Sequence, residues 1–187
     1  MNLNPAQVSM EIIPCDVDDA KKLSDIALRS YDDFYLYLWH DSGEWYRNRC
    51  FTPSVFEREL KEPNHAFYLL KEKGEPVGFL KLNIDQPLKN YEQYDALELE
   101  RIYLVKSATG KGLGRTVVEF CCEYARKLNK DIIWLKAMDS SAAVFFYERM
   151  GFEHCGTFVL DFEQMKKEYR GMVIMMKKLW NGTTSEI

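Results

Sequence analysis

Two hydrophobic periods alternate along the 187-residue chain. "VSMEIIPC" (8–15) is an apolar-rich run stopped at Pro14 and reads as a strand. Asp16 stands where a helix N-cap belongs. Val17, Ala20, Leu23 and Ala27 then lay an apolar stripe on a helix reaching about Ser30. From Tyr31 to Phe51 neither period holds, and aromatics crowd among acids. "HAFYLLKEKGEPVGFLKLNI" (65–84) predicts a β-hairpin turning at Glu72-Lys73-Gly74-Glu75, with Gly74 at positive φ. A polar connection leads to the strand "ALELERIYLV" (96–105), after which Leu113, Val117, Phe120, Tyr124 and Leu128 mark a helix. "DIIWLKA" (131–137) reads as a short buried strand, and "SSAAVFFYERMG" (140–151) as a short helix ended by Gly151 in the left-handed cap position. "GFEHCGTFVLDF" (151–162) and "GMVIMMKKL" (171–179) are two more strand-like runs. The order β-α-(α)-β-β-β-α-β-α-β-β predicts one mixed α/β domain over 1–187, with a polar end at 180–187 expected to be mobile.

Composition narrows the classes. A hydrophobic share of 47% suffices for a sizeable core at this length. The net charge of −4 argues against bulk binding to nucleic-acid phosphates and leans mildly toward cationic partners. Five cysteines (Cys15, Cys50, Cys121, Cys122, Cys155) form no CxxC pair and leave one over, as expected in a reducing cytoplasm. No basic start precedes a long apolar run, and no segment approaches ~18 apolar residues. Neither a signal peptide nor a membrane span is therefore expected.

"LVKSATGKGLGR" (104–115) carries three glycines at alternate positions where a strand ends and a helix begins. Glycine costs ordering entropy, so three of them call for positive φ or for something approaching the backbone closely. The spacing GxGxG is one residue short of a dinucleotide fingerprint, and no GxxxxGK[ST] is present. Backbone N–H groups at a helix N-terminus remain an anion site, to which Lys111 and Arg115 add positive charge. A plain glycine-rich turn is the alternative.

In "SSAAVFFYERMGF" (140–152), Ala143, Phe146, Tyr147 and Met150 share one helix face. A strand, a glycine loop opening a helix, a second strand, and then Phe-Tyr before Met-Gly-Phe together resemble the GNAT family of N-acetyltransferases. The family's acetyl-coenzyme A loop, (Gln/Arg)-x-x-Gly-x-(Gly/Ala), is matched by Thr109-Gly110-Lys111-Gly112-Leu113-Gly114, with Thr109 in place of Gln or Arg. Its later helix is matched by Ser140, Ala143, Phe146, Tyr147, Gly151 and Phe152, with Ser140 in place of Asn. The resemblance implies a single-domain GNAT fold: a mixed, mostly antiparallel sheet of about six to seven strands, splayed at its centre and flanked by helices. It also implies acetyl-coenzyme A as co-substrate, with no metal. The cofactor would lie against Ile102, Tyr103 and Leu104, the loop from Thr109 through Gly114, Arg115, and the helix positions Ser140, Ala143, Phe146 and Tyr147. Within the family, "LELERIYLVKSATGKGLG", "IIWLKA" and "IMMKKL" are similar to the PaiA type of polyamine N-acetyltransferase.

The chemistry needs a neutral amine, a polarised carbonyl and a protonated leaving sulfur. An alkylammonium titrates near ~10.4, so some group must take its proton. Glu100 is the first candidate for that base, directly or through water, and Glu98 is the second. Strand alternation puts both on the face of Ile102 and Leu104. Pairing of these glutamates with Arg101 or a lysine is the alternative. On the family's tyrosine position, Tyr147 would protonate the departing thiolate. Asp32, Asp33, Asp41 and Glu44 among Tyr35, Trp39 and their aromatic neighbours suit a cationic amine, or else form a solvated loop whose rings pack on the core. A protein or peptide N-acetyltransferase and a non-catalytic acyl-coenzyme A binder remain alternatives. Family members are often dimers, so a homodimer is an expected partner. The scattered His40, His65 and His154 give no case for a metal.

Overall fold

The computed structural model describes residues 10–179; Val8, Ser9 and the polar end at 180–187 lie outside the described residues. In chain order come β1 (Met10–Pro14), α1 (Ala20–Asp32), α2 (Glu44–Cys50), α3 (Pro53–Leu60), β2 (His65–Glu72), β3 (Glu75–Asn83) and β4 (Ala96–Leu104). These are followed by α4 (Leu113–Lys127), β5 (Ile132–Met138), α5 (Ala143–Arg149), β6 (Glu153–Val159) and β7 (Gly171–Lys178).

Local chemistry accounts for most boundaries. Asp16 forms a capping box with Asp19, but it caps a 3₁₀ turn over Val17–Asp19 from which α1 continues. The tighter 3₁₀ step swings Val17 off the stripe, and it is exposed while Ala20, Leu23 and Ala27 are buried. The hairpin turns with Lys73 and Gly74 both at positive φ, the two-residue geometry that matches strand twist. Gly151 takes the left-handed cap after α5. Leu128 falls one residue past α4 and is exposed. The sequence period places no helix at α3, whose eight residues are too few for a repeat to show; Thr52 capping Val55, followed by Pro53, marks its start.

The seven strands form one sheet in the order β1-β2-β3-β4-β5-β7-β6, antiparallel except between β4 and β5. That parallel pair spans only Ala96–Leu99 against Ile132–Leu135. β5 then stays with β7 as far as Met138, and β4 stays with β3 as far as Leu104. The two central strands part after Leu99 and leave a wedge.

Opposed residues share a face, so register assigns the layers. Tyr68, opposite Leu80, packs on Phe120 and Tyr124 of α4. Phe67, opposite Lys81, packs on Phe56 of α3. Beside that second layer, Leu88, Ala96, Ile132, Trp134 and Met176 form a smaller core under the 84–95 connection. Among the described residues, no helix is long and apolar enough to cross a membrane.

β4 carries a bulge at Glu100: Lys81 faces Arg101, yet Leu82 faces Leu99. The extra residue corrects the strand alternation read from sequence. Tyr103, Arg101 and Glu98 lie opposite Phe79, Lys81 and Asn83 on the α3 side, whereas Ile102 lies opposite Leu80 on the α4 side. Glu98 and Glu100 therefore do not share a face with Ile102 and Leu104.

Candidate active site

Among the described residues, the wedge leaves the β5-facing backbone edge of Glu100–Leu104 without a strand partner. Just beyond it, the chain makes a 3₁₀ turn over Lys106–Ala108 and enters α4 through the glycine loop. Gly110 and Gly112 sit at φ +76° and +83°. A Cβ on either would meet nothing within 4 Å, so conformation, not space, selects glycine there. Gly114 has no positive φ; a Cβ on it would come 3.6 Å from Phe146 of α5. Among the described residues no side chain caps α4, so its first-turn N–H groups are free to bind an anion. Lys111 and Arg115 stand beside them, lightly held by Glu72 at 2.9 Å and Glu119 at 3.7 Å. The Thr109 hydroxyl folds back onto the Lys106 carbonyl. Ser140 is exposed, and it is Ser141 whose hydroxyl accepts the Ala143 N–H at the start of α5.

Tyr147 of α5 lies near Cys121 of α4 and near Tyr35. Its ring is buried between Phe146 and Phe152. Burial raises its hydroxyl well above an ordinary tyrosine, with smaller contributions from nearby Tyr35 and Cys121, so the phenol keeps its proton. Burial likewise raises all five thiols, Cys15 to about 12, which leaves no ready thiolate nucleophile.

A polar seam crosses the α3 side of the same strands. Lys81, only 3% exposed, pairs with Glu100 at 2.7 Å and Glu59 at 3.3 Å. Arg101 pairs with Glu59 and Glu100, each at 3.0 Å. Lys136 pairs with Glu98 at 2.8 Å. The Asn83 amide donates to Glu98 and Glu100, both at 2.8 Å. Three acids meet three bases, so the buried charge is balanced. Burial alone would push the Glu100 carboxyl up. Arg101 and Lys81 beside it, with hydrogen bonds from Lys81 and Asn83, outweigh that and hold it below its ordinary 4.5. A group so depressed contributes stability that is complete above the unfolded value and is lost as pH falls through the folded one. The melting-temperature gap between wild type and Glu100→Gln is thus expected to be widest near neutral pH and to close below pH 4.5. Thermal melts across that range check this, and a gap constant with pH would refute it.

The sequence from residue 25 to residue 152 matches the Acetyltransferase (GNAT) family. The chain belongs to the GNAT acetyltransferase family. Its domain is an acetyl-coenzyme A-dependent N-acetyltransferase domain. An uncharacterized N-acetyltransferase of Methanocaldococcus jannaschii is 26% identical over 166 residues, 88% of this chain and 63% of that one. A similar protein of Lactobacillus delbrueckii matches over 54% of its length, so the chain spans little more than half to two thirds of these relatives. Among solved structures, the fold is similar to the PaiA N-acetyltransferase of Thermoplasma acidophilum in complex with coenzyme A (TM-score 0.67, 20% identity, 91% of this chain and 99% of that one). It is also similar to the spermidine N-acetyltransferase SpeG of Vibrio cholerae (TM-score 0.66, 16% identity, 91% and 94%).

In this GNAT domain the acids of the aromatic segment are largely engaged. Asp32 pairs with Arg47 at 3.2 Å. Asp33 accepts the Lys106 N–H at 2.7 Å and so ties the end of α1 to the entrance of the glycine loop. Asp41 caps α2 through the N–H groups of Gly43 and Trp45. Glu44 is exposed in the first turn of α2. Trp39 is buried, donates to the Tyr31 hydroxyl and stacks on Tyr46. Tyr35 packs edge-on against Tyr103 and lies nearer the wedge. The sequence reading passed over Lys81, Asn83 and Lys136. The signal for Lys81 and Asn83 is in "FLKLNI", where two polar residues alternate with apolar ones inside a strand that is otherwise core, and Lys136 is the one charge in the apolar run "IIWLKA".

Proposed function

We propose that the protein transfers an acetyl group from acetyl-coenzyme A to a primary amine of a small cationic molecule. The observation that carries this reading is an unpaired β4 edge that runs into an uncapped helix behind positive-φ glycines, with Glu100 on that strand and Tyr147 near Tyr35, whose ring packs on Tyr103 of β4. The residues fit the co-substrate. Loop N–H groups with Lys111 and Arg115 would hold its pyrophosphate, and the free edge of Ile102–Leu104 would hold an amide-bearing arm. Acetyl-coenzyme A, when bound, supplies an activated thioester. The chain's own residues do the rest. A β4 backbone N–H at the wedge polarises the carbonyl oxygen. Glu100, held ionised, receives the amine's proton directly or through water, with Glu98 behind it. Tyr147 keeps a proton for the leaving sulfur.

Support for a small acceptor comes from the β6–β7 connection, which closes over the aromatic segment. His40 N–H donates to Gln164, Lys166 N–H to Leu38, and the Lys166 ammonium to the Tyr37 carbonyl. Phe162 packs on Trp39, Trp45 and Tyr46. A polypeptide acceptor would need this side open. A polyamine is the finer reading, supported by the exposed Glu44 and an aromatic flank that includes Tyr35 and Trp45.

Acetyl-coenzyme A turnover, with product masses, across spermidine, amino acids, aminoglycosides and N-terminal peptides tests the proposal. Acetylation of a small primary amine is expected. Acetylation confined to peptides would establish the protein-modifying alternative. Tight coenzyme A binding with no acetylated product would leave a non-catalytic binder. Glu44→Lys is expected to raise KM for a polyamine severalfold and leave that for acetyl-coenzyme A unchanged, because Glu44 is exposed and serves no cap; an equal effect on both would remove it from the acceptor site.

A further inference from the structure

Asn83 ends β3 in the middle of the polar seam and is 8% exposed. Its amide nitrogen is fully committed, with one N–H on Glu98 and the other on Glu100. Those two bonds fix which way the amide points, since the reverse orientation would aim its oxygen at two carboxylates. Among the described residues, no donor reaches the Asn83 Oδ1 so placed, although it is buried. The surrounding groups cannot supply one. Lys81 is turned to Glu59 and Glu100, Arg101 to the same two acids, and Lys136 to Glu98. His65, opposite Asn83 on β2, has its Nδ1 on the Glu59 carbonyl. An unmatched buried acceptor is costly, and buried water is the usual remedy where several polar groups converge.

We propose that Asn83 is a positioning residue whose Oδ1 holds a water between the acceptor amine and Glu100. This rests on the acetyl-transfer reading and names the path of the amine's proton. The water donates one hydrogen to Oδ1 and one to the Glu100 carboxylate, which leaves its lone pairs toward the incoming ammonium. The ammonium passes a proton to the water, and the water passes one of its own to Glu100. The result is a neutral amine, an unchanged water and a carboxylic acid. Glu100 is the terminus rather than Glu98 because its side chain is 24% exposed against 4%, so it can release the proton to solvent. Its depressed pKa makes that release fast and makes it a conduit, not a store.

A relay matters only to amines that arrive protonated. Asn83→Leu keeps the volume and removes both polar ends. For an alkylamine the variant is expected to lose roughly 10–100-fold in kcat, up to the lower edge of the ~10²–10⁴-fold that proton-transfer catalysis supplies, because Asn83 acts through the water. For a fluorinated alkylamine of the same length, already neutral at the assay pH, it should lose no more than about threefold, well below that range. KM for acetyl-coenzyme A should not change. Asn83→Asp keeps an oxygen for the water but sets a third carboxylate beside two others. It should retain the wild-type ratio between the two amines while the acid limb of its pH–rate profile moves up. That variant also serves if Asn83→Leu does not fold. Equal losses for both amines would make Asn83 a structural residue and overturn the proposal, as would no loss at all. Failure of wild type to acetylate either amine would overturn the acetyl-transfer reading itself, and is seen before any variant is made.

Discussion

Replacing Tyr147 with phenylalanine is expected to lower kcat by roughly 10–10³-fold while acetyl-coenzyme A affinity stays within a few-fold. The ring packs between Phe146 and Phe152 and survives the change, so the melting temperature should scarcely move. What is lost is one hydroxyl that burial keeps protonated far above neutral pH. A free thiol titrates near ~8.5, below this phenol, so the hydroxyl acts by donating a hydrogen bond to the charge that forms on sulfur in the transition state. The loss should therefore shrink for thioesters whose thiol is more acidic, because that thiolate needs the proton less. Stopped-flow turnover with two such thioesters, beside calorimetric titration of the cofactor, measures both. A variant that melts early with kcat intact would assign Tyr147 to the core and leave solvent as the acid.

Gly112→Val is expected to weaken acetyl-coenzyme A binding at least tenfold, about 1.4 kcal/mol or more. At φ +83° an L side chain costs roughly 1–2 kcal/mol, and more when β-branched. The chain can escape that strain only by rotating the peptide groups that open α4. Since no contact within 4 Å opposes a Cβ there, the fold should tolerate the shift and the anion site should not. Circular dichroism unchanged beside a weakened titration is the expected pair of results. Unchanged affinity would place the pyrophosphate elsewhere. Gly114→Ala makes the contrast: with no positive φ and an ordinary 3.6 Å contact to Phe146, it should cost far less.

The glycine loop, the helix face that carries Tyr147 and the succession of strands and helices along the chain were legible from sequence because each depends on neighbours a few residues away. Positive φ selects Gly110 and Gly112 locally, the i, i+3, i+4 spacing sets Tyr147 and Met150 on one helix face, and the hairpin turn is written in Lys73-Gly74. The extra residue at Glu100 was not legible, since a bulge exists only against a partner strand. It alone decides that Glu98 and Glu100 face Asn83 and Lys81 rather than sharing a face with Ile102 and Leu104. The seam of Glu59, Lys81, Asn83, Glu98, Glu100, Arg101 and Lys136 joins α3 to three strands across as many as 42 sequence positions, as between Glu59 and Arg101. Charges that far apart reveal no pairing until the sheet brings them within hydrogen-bond reach. The acids at 32–44 show the converse. Their composition suggested a cation site, yet whether Asp33 meets a ligand or the Lys106 N–H is settled by where α1 ends against β4, which only the packed molecule decides.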